Sequence, residues 1–139
     1  MDTQIRVATF NASLNRASSG ALIEDLSTPD NTQAKTVAEI IQRAAPDIVL
    51  VNEFDFDSAG PNGSSLAAEL FRTNYLAVSQ NGAPAANYPY VYIAPSNTGI
   101  ASGFDLDNNG TAVTTPGAPG YGEDALGFGA FPGQFGMVI

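Results

Sequence analysis

The sequence has no cysteine and no histidine among its 139 residues. Without cysteine, neither a disulfide framework nor a thiolate metal site is available. Without histidine, the chain lacks the commonest general base and every nucleophile pair that relies on a histidine partner. Any chemistry carried by these residues must therefore use carboxylates, amides, hydroxyls or metal ions.

Basic residues are scarce as well. Five Lys and Arg stand against 14 Asp and Glu, which gives a formal net charge of -9. Attraction to a phosphate backbone depends on Lys and Arg displacing counterions, so this balance opposes it. We therefore expect no strong binding of duplex DNA.

Long apolar runs are missing too. No run approaches the ~20 apolar residues that a membrane span needs. The N-terminus lacks the basic segment and apolar stretch of a signal peptide. We expect no membrane span, and the localisation stays open; a secreted or periplasmic protein whose leader has been removed is compatible with this sequence.

The hydrophobic residues that are present, 44% of the chain, suffice for the core of one domain. Alternating residues at 5–10 predict a strand. Apolar residues at helical spacing predict a helix over 32–45, with Asn31 or Thr32 as its cap. The β-branched run at 47–52 is typical of a strand covered on both faces. Together these segments predict a βαβ unit with a parallel pair of strands.

The second half of the sequence is less regular. A helix is predicted over 64–73, and 90–94 and 135–139 have the character of strands. Between them lies a loop-rich insertion at about 95–133, of a length that is more often functional or mobile than simply connective. The order of elements predicts an α/β fold with a mixed sheet. Because the last residues are apolar and strand-forming, we expect the domain to be truncated inside an element.

Two polar side chains follow the two predicted parallel strands. Asn11 comes directly after the first strand and Glu53 directly after the second, so both should emerge at the carboxyl edge of the sheet, where open α/β sheets place their ligands. Carboxylate and amide oxygens suit Mg²⁺. Spacing alone favours the alternative in which Asn11 forms a turn and Glu53 is a solvated loop residue.

Three segments resemble one known family. IRVATFNAS at 5–13 and PDIVLVNEFD at 46–55, separated by an amphipathic helix, look like the opening of the endonuclease/exonuclease/phosphatase superfamily, whose first strand ends in Asn and second in Glu. QFGMVI at 134–139 is similar to the strand that follows in that family. The resemblance spans residues 5–139, and its middle part is unmatched.

The resemblance implies a metal-dependent phosphoesterase. Glu53 would hold the catalytic Mg²⁺ or Mn²⁺, and Asn11 would orient phosphate or metal-bound water. The family's later residues, a Tyr, an Asp-x-Asn pair and a closing Asp-His, have no counterpart here. The resemblance therefore implies one α/β layer of a four-layer α/β sandwich, formed by the N-terminal half of the domain. This half is expected to need its C-terminal partner half to hydrolyse a phosphate-ester substrate.

A second motif, DLDNNG, lies in the insertion. Asp105, Asp107 and Asn109 with Gly110 match the first half of a calcium loop, in which alternating oxygen side chains converge. The twelfth position is Pro116 rather than Glu, which excludes a helix-loop-helix calcium hand. A weak Ca²⁺ site and a turn rich in Asp and Asn are both compatible with the motif. The alternative function is accordingly a non-catalytic calcium-binding or interaction module.

Other polar and aromatic residues have less specific patterns. Asp55 and Asp57 could add negative charge to a metal site at Glu53, but their turn-rich surroundings favour solvated loop residues. Tyr88, Tyr90 and Tyr92 alternate at strand spacing. Packing accounts for Tyr90 and Tyr92, and stacking on a substrate is the alternative.

Overall fold

The fold is of the α/β class and is built on a three-stranded mixed sheet. The computed structural model describes residues 4–57 and 65–139. The strands are β1 (Val7–Leu14), β2 (Ile48–Phe54) and β3 (Met137–Val138), in the spatial order β1-β2-β3. β1 and β2 are parallel, whereas β2 and β3 are antiparallel. The predicted parallel pair and mixed sheet are therefore confirmed.

The connection between the parallel strands contains two helices, α1 (Ala21–Leu26) and α2 (Thr32–Ala44). α2 is the predicted amphipathic helix and ends one residue earlier than predicted. Its N-cap is Asn31, whose side-chain oxygen accepts a hydrogen bond from the backbone N–H of Ala34. This bond satisfies one of the free N–H groups of the first turn.

Beyond β2 the chain forms α3 (Leu66–Phe71), which continues directly into a π-helical turn, Arg72–Leu76. The predicted helix over 64–73 is confirmed from Leu66 onward and continues to Leu76, while Ser64 lies outside the described residues. The carbonyl groups at the end of the π-helical turn are satisfied by the buried side chain of Gln42 in α2. This polar contact joins the two helical segments on one side of the sheet.

The predicted insertion is irregular, as expected, with only brief helical turns at α4 (Tyr121–Asp124) and at Leu126–Phe128. The strand predicted over 90–94 is absent: within the described ranges this segment contributes one isolated bridge, Ile93 to Val138. Tyr92 and Ile139 exchange backbone hydrogen bonds beside that bridge. The segment thus lies along β3 without forming a regular ladder.

The core lies between one face of the sheet and the helices. Leu14 and Phe54 are fully buried there, together with Leu26 of α1 and Tyr75 of the π-helical turn. In β1 the residues on the opposite face of the sheet are exposed, and these are Val7, Thr9, Asn11 and Ser13.

That second face of the sheet is open, in contrast to the prediction that β2 is covered on both faces. Ile48 at the start of β2 is 43% exposed, Val7 of β1 is 67% exposed and Met137 of β3 is 51% exposed. Among the described residues, the helices that pack on the sheet cover only its other face. The apolar composition of β2 therefore overstated its burial.

In the described part of the chain, none of the helices combines the length and the apolar character required to cross a membrane.

Candidate functional site

Asn11 and Glu53 lie side by side near the carboxyl ends of β1 and β2. The parallel register pairs Asn11 with Asn52, the residue before Glu53. The side-chain amide of Asn11 donates a hydrogen bond of 2.7 Å from Nδ2 to Oε1 of Glu53. The two residues that the sequence singled out are thus in direct contact, although they are 42 positions apart.

The backbone around this contact is irregular. The strands continue past Asn11 and Glu53 instead of ending before them, but the pairing is interrupted by a bulge between Asn11 and Leu14. Ser13 and Glu53 both have a positive φ, 52° and 55°, in the left-handed region that side chains other than Gly and Asn rarely adopt. Such conformations cost about 1–3 kcal/mol each and cluster at functional sites.

A third residue, Asn15, joins the contact. Its Nδ2 donates a hydrogen bond of 3.1 Å to Oε2 of Glu53. The two oxygens of the Glu53 carboxylate therefore each accept from a different amide. Spacing could not have revealed Asn15, because its approach depends on the bulge that follows Asn11.

The chemistry available at Glu53 is that of a partly exposed carboxylate anchored by two neutral donors. Each carboxylate oxygen has two acceptor positions, so a hydrogen bond to each leaves room for a cation. The nearby cationic group of Arg16 is occupied, because its Nε lies 2.6 Å from a carboxylate oxygen of Asp25. Glu53 can thus offer an oxygen ligand to a hard divalent cation.

Asp55 directly follows β2, two residues after Glu53, and is buried, with 3% of its surface exposed. Its carboxylate accepts hydrogen bonds from the backbone N–H groups of Arg16, at 2.6 Å, and Phe135, at 3.0 Å. Burial raises the pKa of Asp55 from 3.8 to about 6, against the opposing effect of these two hydrogen bonds. The interpretation of Asp55 as a solvated loop residue was wrong, because the carboxylate ties β2 to two other segments.

Asp57 is buried as well, with 7% of its surface exposed, so it too differs from the predicted solvated residue. It accepts a hydrogen bond of 2.9 Å from the hydroxyl of Ser19. Its other oxygen faces Gly20, where a β-carbon would lie only 3.4 Å away. Asp55 and Asp57 therefore hold the loop before α1 against the end of β2.

No family model, no curated protein and no solved structure matches this chain. The Glu53 site is therefore described by its own contacts, which join Asn11, Asn15 and Glu53. A second polar cluster lies in the segment 95–133 and is likewise described by its own contacts.

That second cluster contains three carboxylates, those of Asp105, Asp107 and Asp124, which could together hold a metal ion. One oxygen from each lies within 4.8 Å of the others. Asp124, which the sequence analysis missed, is 1% exposed and accepts hydrogen bonds from the backbone N–H groups of Leu106, at 2.7 Å, and Val113, at 2.8 Å. It therefore anchors the DLDNNG segment from α4.

The DLDNNG segment itself is a turn closed by its own side chains. Asp105 accepts from the backbone N–H groups of Asn109, at 3.1 Å, and Gly110, at 2.8 Å. The side chain of Asn109 donates to Asp107 at 2.7 Å and accepts from the backbone N–H of Thr111 at 3.0 Å. The backbone N–H of Asn109 is the main cause that lowers the pKa of Asp107. Asn109 thus closes the turn beside Asp107, and Asp124 adds a third carboxylate that the sequence analysis did not predict.

The three alternating tyrosines line one side of an apolar groove of about 300 Å³ beside β2 and α3. Tyr90 is 89% exposed and Tyr92 is 67% exposed, so packing does not account for them as predicted. Tyr88 instead packs against the core, and its hydroxyl donates a hydrogen bond of 2.8 Å to the carbonyl of Pro46. Burial raises the pKa of the Tyr88 hydroxyl.

Proposed function

We propose that this chain supplies the first part of a divalent-metal-dependent phosphoesterase site of the endonuclease/exonuclease/phosphatase type. The observation that carries the proposal is the hydrogen bond between Asn11 and Glu53 at the carboxyl edge of two adjacent parallel strands. That edge is where α/β sheets bind ligands. Glu53 also has a left-handed backbone, a conformation that Ala45 and Phe128 adopt outside the site.

In this proposal Glu53 holds Mg²⁺ or Mn²⁺, and Asn11 orients the phosphate or the metal-bound water. The cation would supply neutralisation of phosphate charge and a water molecule placed for attack. Asn11 fixes the carboxylate through its amide N–H. The proposal assigns the general base to the later part of the domain, because the family's closing Asp-His pair has no counterpart in this chain, which has no histidine.

The exposed apolar face of the sheet supports the four-layer architecture that the family implies. Val7, Ile48 and Met137 each expose 43% or more of their surface on that face. Sheets that pack face to face bury such residues in a shared core. We propose that a second α/β layer, from the C-terminal half of the domain, covers this face.

The charge of the chain bears on the proposed substrate. A net charge of -9 disfavours a tightly held nucleic-acid duplex at low salt. A small phosphate ester, a nucleotide, a phospholipid head group or extracellular nucleic acid at high salt fits this charge better. The proposed substrate is therefore a phosphate ester whose binding does not require many contacts between the protein and a nucleic-acid backbone.

Metal binding tests the proposal. We expect isothermal titration of the purified chain with Mn²⁺, and competition with Mg²⁺, to show a binding site that Glu53→Gln abolishes. Glu39→Gln is the matched control, because Glu39 also accepts from an asparagine amide, that of Asn81, but lies on α2. Equal Mn²⁺ binding by the wild type and Glu53→Gln would refute the proposed metal site.

Catalysis gives a second test. With Mn²⁺ we expect the 139-residue chain to hydrolyse bis-p-nitrophenyl phosphate no faster than Glu53→Gln. In this proposal the family's later residues, the Tyr, the Asp-x-Asn pair and the Asp-His pair, supply the general base and most contacts to the transition state. Clear turnover by the wild type, absent in Glu53→Gln, would show that these residues suffice and that the proposed dependence on a second half is wrong.

Calcium binding by the insertion is the second candidate function. The observation that favours it is the position of Asp124, which brings a third carboxylate to Asp105 and Asp107 from a separate segment. Ca²⁺ prefers several carboxylate and carbonyl oxygens in flexible geometry. A Ca²⁺ ion bound here would connect the DLDNNG segment to α4, and this structural role would not require catalytic activity.

Thermal unfolding with and without about 10 mM Ca²⁺, a concentration above the Kd of about 10⁻⁴–10⁻³ M of weak calcium sites, separates this candidate from the first. We expect Ca²⁺ to raise the Tm of the wild type and of Glu53→Gln, but not that of Asp105→Asn/Asp107→Asn. Asp30→Asn is the control, because Asp30 is an exposed carboxylate outside both clusters. A Tm that Ca²⁺ leaves unchanged in the wild type would eliminate the calcium candidate.

A further inference from the structure

We infer that Asn15 is a positioning residue of the Glu53 site, which fixes the orientation of the carboxylate through its second oxygen. This inference rests on the proposed metal-binding function of Glu53. It concerns a residue outside the sequence motifs that suggested that function.

The first step is the geometry of the carboxylate. Asn11 donates to Oε1 of Glu53 at 2.7 Å and Asn15 donates to Oε2 at 3.1 Å. A single hydrogen bond would leave the carboxylate free to turn about its terminal torsion, which has a broad energy profile. Donors on both oxygens restrict that rotation and determine which acceptor positions remain for a cation.

The second step is the support of Asn15 itself. The residue before it, Leu14, is fully buried, and the guanidinium of Arg16 donates a hydrogen bond of 2.8 Å to the Asn15 carbonyl. The same guanidinium is paired with Asp25, and the backbone N–H of Arg16 donates to Asp55. Asn15 is therefore held between two anchored neighbours and can present its amide without further ordering.

The third step is the consequence for a ligand. Groups that hydrogen-bond a metal ligand orient it before the cation arrives, and their removal typically weakens metal affinity by about 10–100-fold. Of the two amides that hydrogen-bond Glu53, Asn11 alone remains when the Asn15 donor is lost. We therefore expect a defect in cation binding that exceeds any defect in folding.

The test compares Asn15→Ala with Asn52→Ala. Asn52 is the neighbour of Glu53 in β2, and its amide donates at 2.9 Å to the hydroxyl of Thr9 instead of to Glu53. We expect Asn15→Ala to weaken Mn²⁺ binding by about 10-fold or more in isothermal titration, and Asn52→Ala to change it less than about 2-fold. Asn15→Gln, which retains an amide donor on a longer side chain, should recover part of the affinity.

A structural role of Asn15 predicts a different result. The Tm of the metal-free protein would then fall in Asn15→Ala, while the affinity of the folded protein for Mn²⁺ would equal that of the wild type; this result would overturn the inference. If Asn15→Ala does not fold, Asn15→Ser, whose shorter side chain cannot span to the carboxylate, takes its place in the same titration.

The control Glu53→Gln separates the two levels of the proposal. If Glu53→Gln loses Mn²⁺ binding and Asn15→Ala retains full affinity, the metal site stands and the role of Asn15 is refuted. If Glu53→Gln binds Mn²⁺ like the wild type, the metal site is refuted and the role of Asn15 falls with it.

Discussion

Asp55 should make the folded chain less stable as the pH rises from 4 to 7. Its carboxyl is buried and its pKa is raised to about 6 in the folded state, compared with an ordinary value of 3.8. Between these values the folded protein keeps a proton that the unfolded chain releases. The stabilisation is therefore fully present below pH 3.8 and is lost as the pH rises through 6.

The magnitude follows from the two pKa values. Their difference corresponds to about 3 kcal/mol in total, of which more than about 2 kcal/mol falls between pH 4 and pH 7. Other carboxylates act in the opposite direction, since the pKa of Glu39 is lowered by its hydrogen bond with Arg43. The contribution of Asp55 must therefore be measured as a difference between two variants.

Asp55→Asn provides that difference, because Asn does not titrate and has nearly the same shape. Urea unfolding followed by far-ultraviolet circular dichroism at pH 4, 5, 6 and 7 gives the free energy of unfolding of both proteins. We expect the free energy of Asp55→Asn minus that of the wild type to increase by about 2 kcal/mol over this range. Parallel pH profiles for the two proteins would refute the reasoning, since they would show that the carboxyl ionises at no extra cost in the fold.

Two further predictions concern packing. Gln42→Leu should lower the free energy of unfolding by about 1–3 kcal/mol, because it removes the donor to the carbonyls of Leu76 and Val78 and takes the side-chain acceptor away from the backbone N–H of buried Gln80. The control Gln4→Leu, at an exposed position, should change the free energy of unfolding by less than about 0.5 kcal/mol in the same urea assay. An equal loss in both variants would contradict the role of Gln42. Gly133→Ala should be much more destabilising than Gly82→Ala, whose cost is about 1–2 kcal/mol for a left-handed backbone. Both glycines have a positive φ, but a β-carbon at Gly133 would lie 2.0 Å from the carbonyl oxygen of Phe56, whereas that at Gly82 meets nothing within 4 Å; equal losses would show that the loop can shift.

Sequence patterns predicted the structure best where the interacting residues are close together in the chain. The amphipathic helix over Thr32–Ala44 and its cap at Asn31 were predicted almost to the residue. Helical periodicity and capping involve residues three or four positions apart, so a short window contains the whole interaction. The parallel pairing of β1 and β2 followed from the crossover between them.

Predictions of burial were less accurate, because burial depends on what covers a residue. Asp55 and Asp57 were expected in solvent and are buried, whereas Tyr90 and Tyr92 were expected to pack and are exposed. The polar pair is covered by the loop before α1 and, at Asp55, by the segment at Phe135. No periodicity within 55–57 could have predicted a partner 80 residues away.

The candidate sites show the same division. By itself the sequence placed Asn11 and Glu53 at the same edge of the sheet, because two parallel strands joined by one crossover bring their carboxyl ends together. Their side-chain contact was decided by the tertiary structure. Only the tertiary structure decided that Asn15 completes the contact and that Asp124 joins Asp105 and Asp107. The hydrogen bond from Asn15 to Glu53 joins residues 38 positions apart, and the one from Leu106 to Asp124 joins residues 18 positions apart. A local pattern does not encode such contacts.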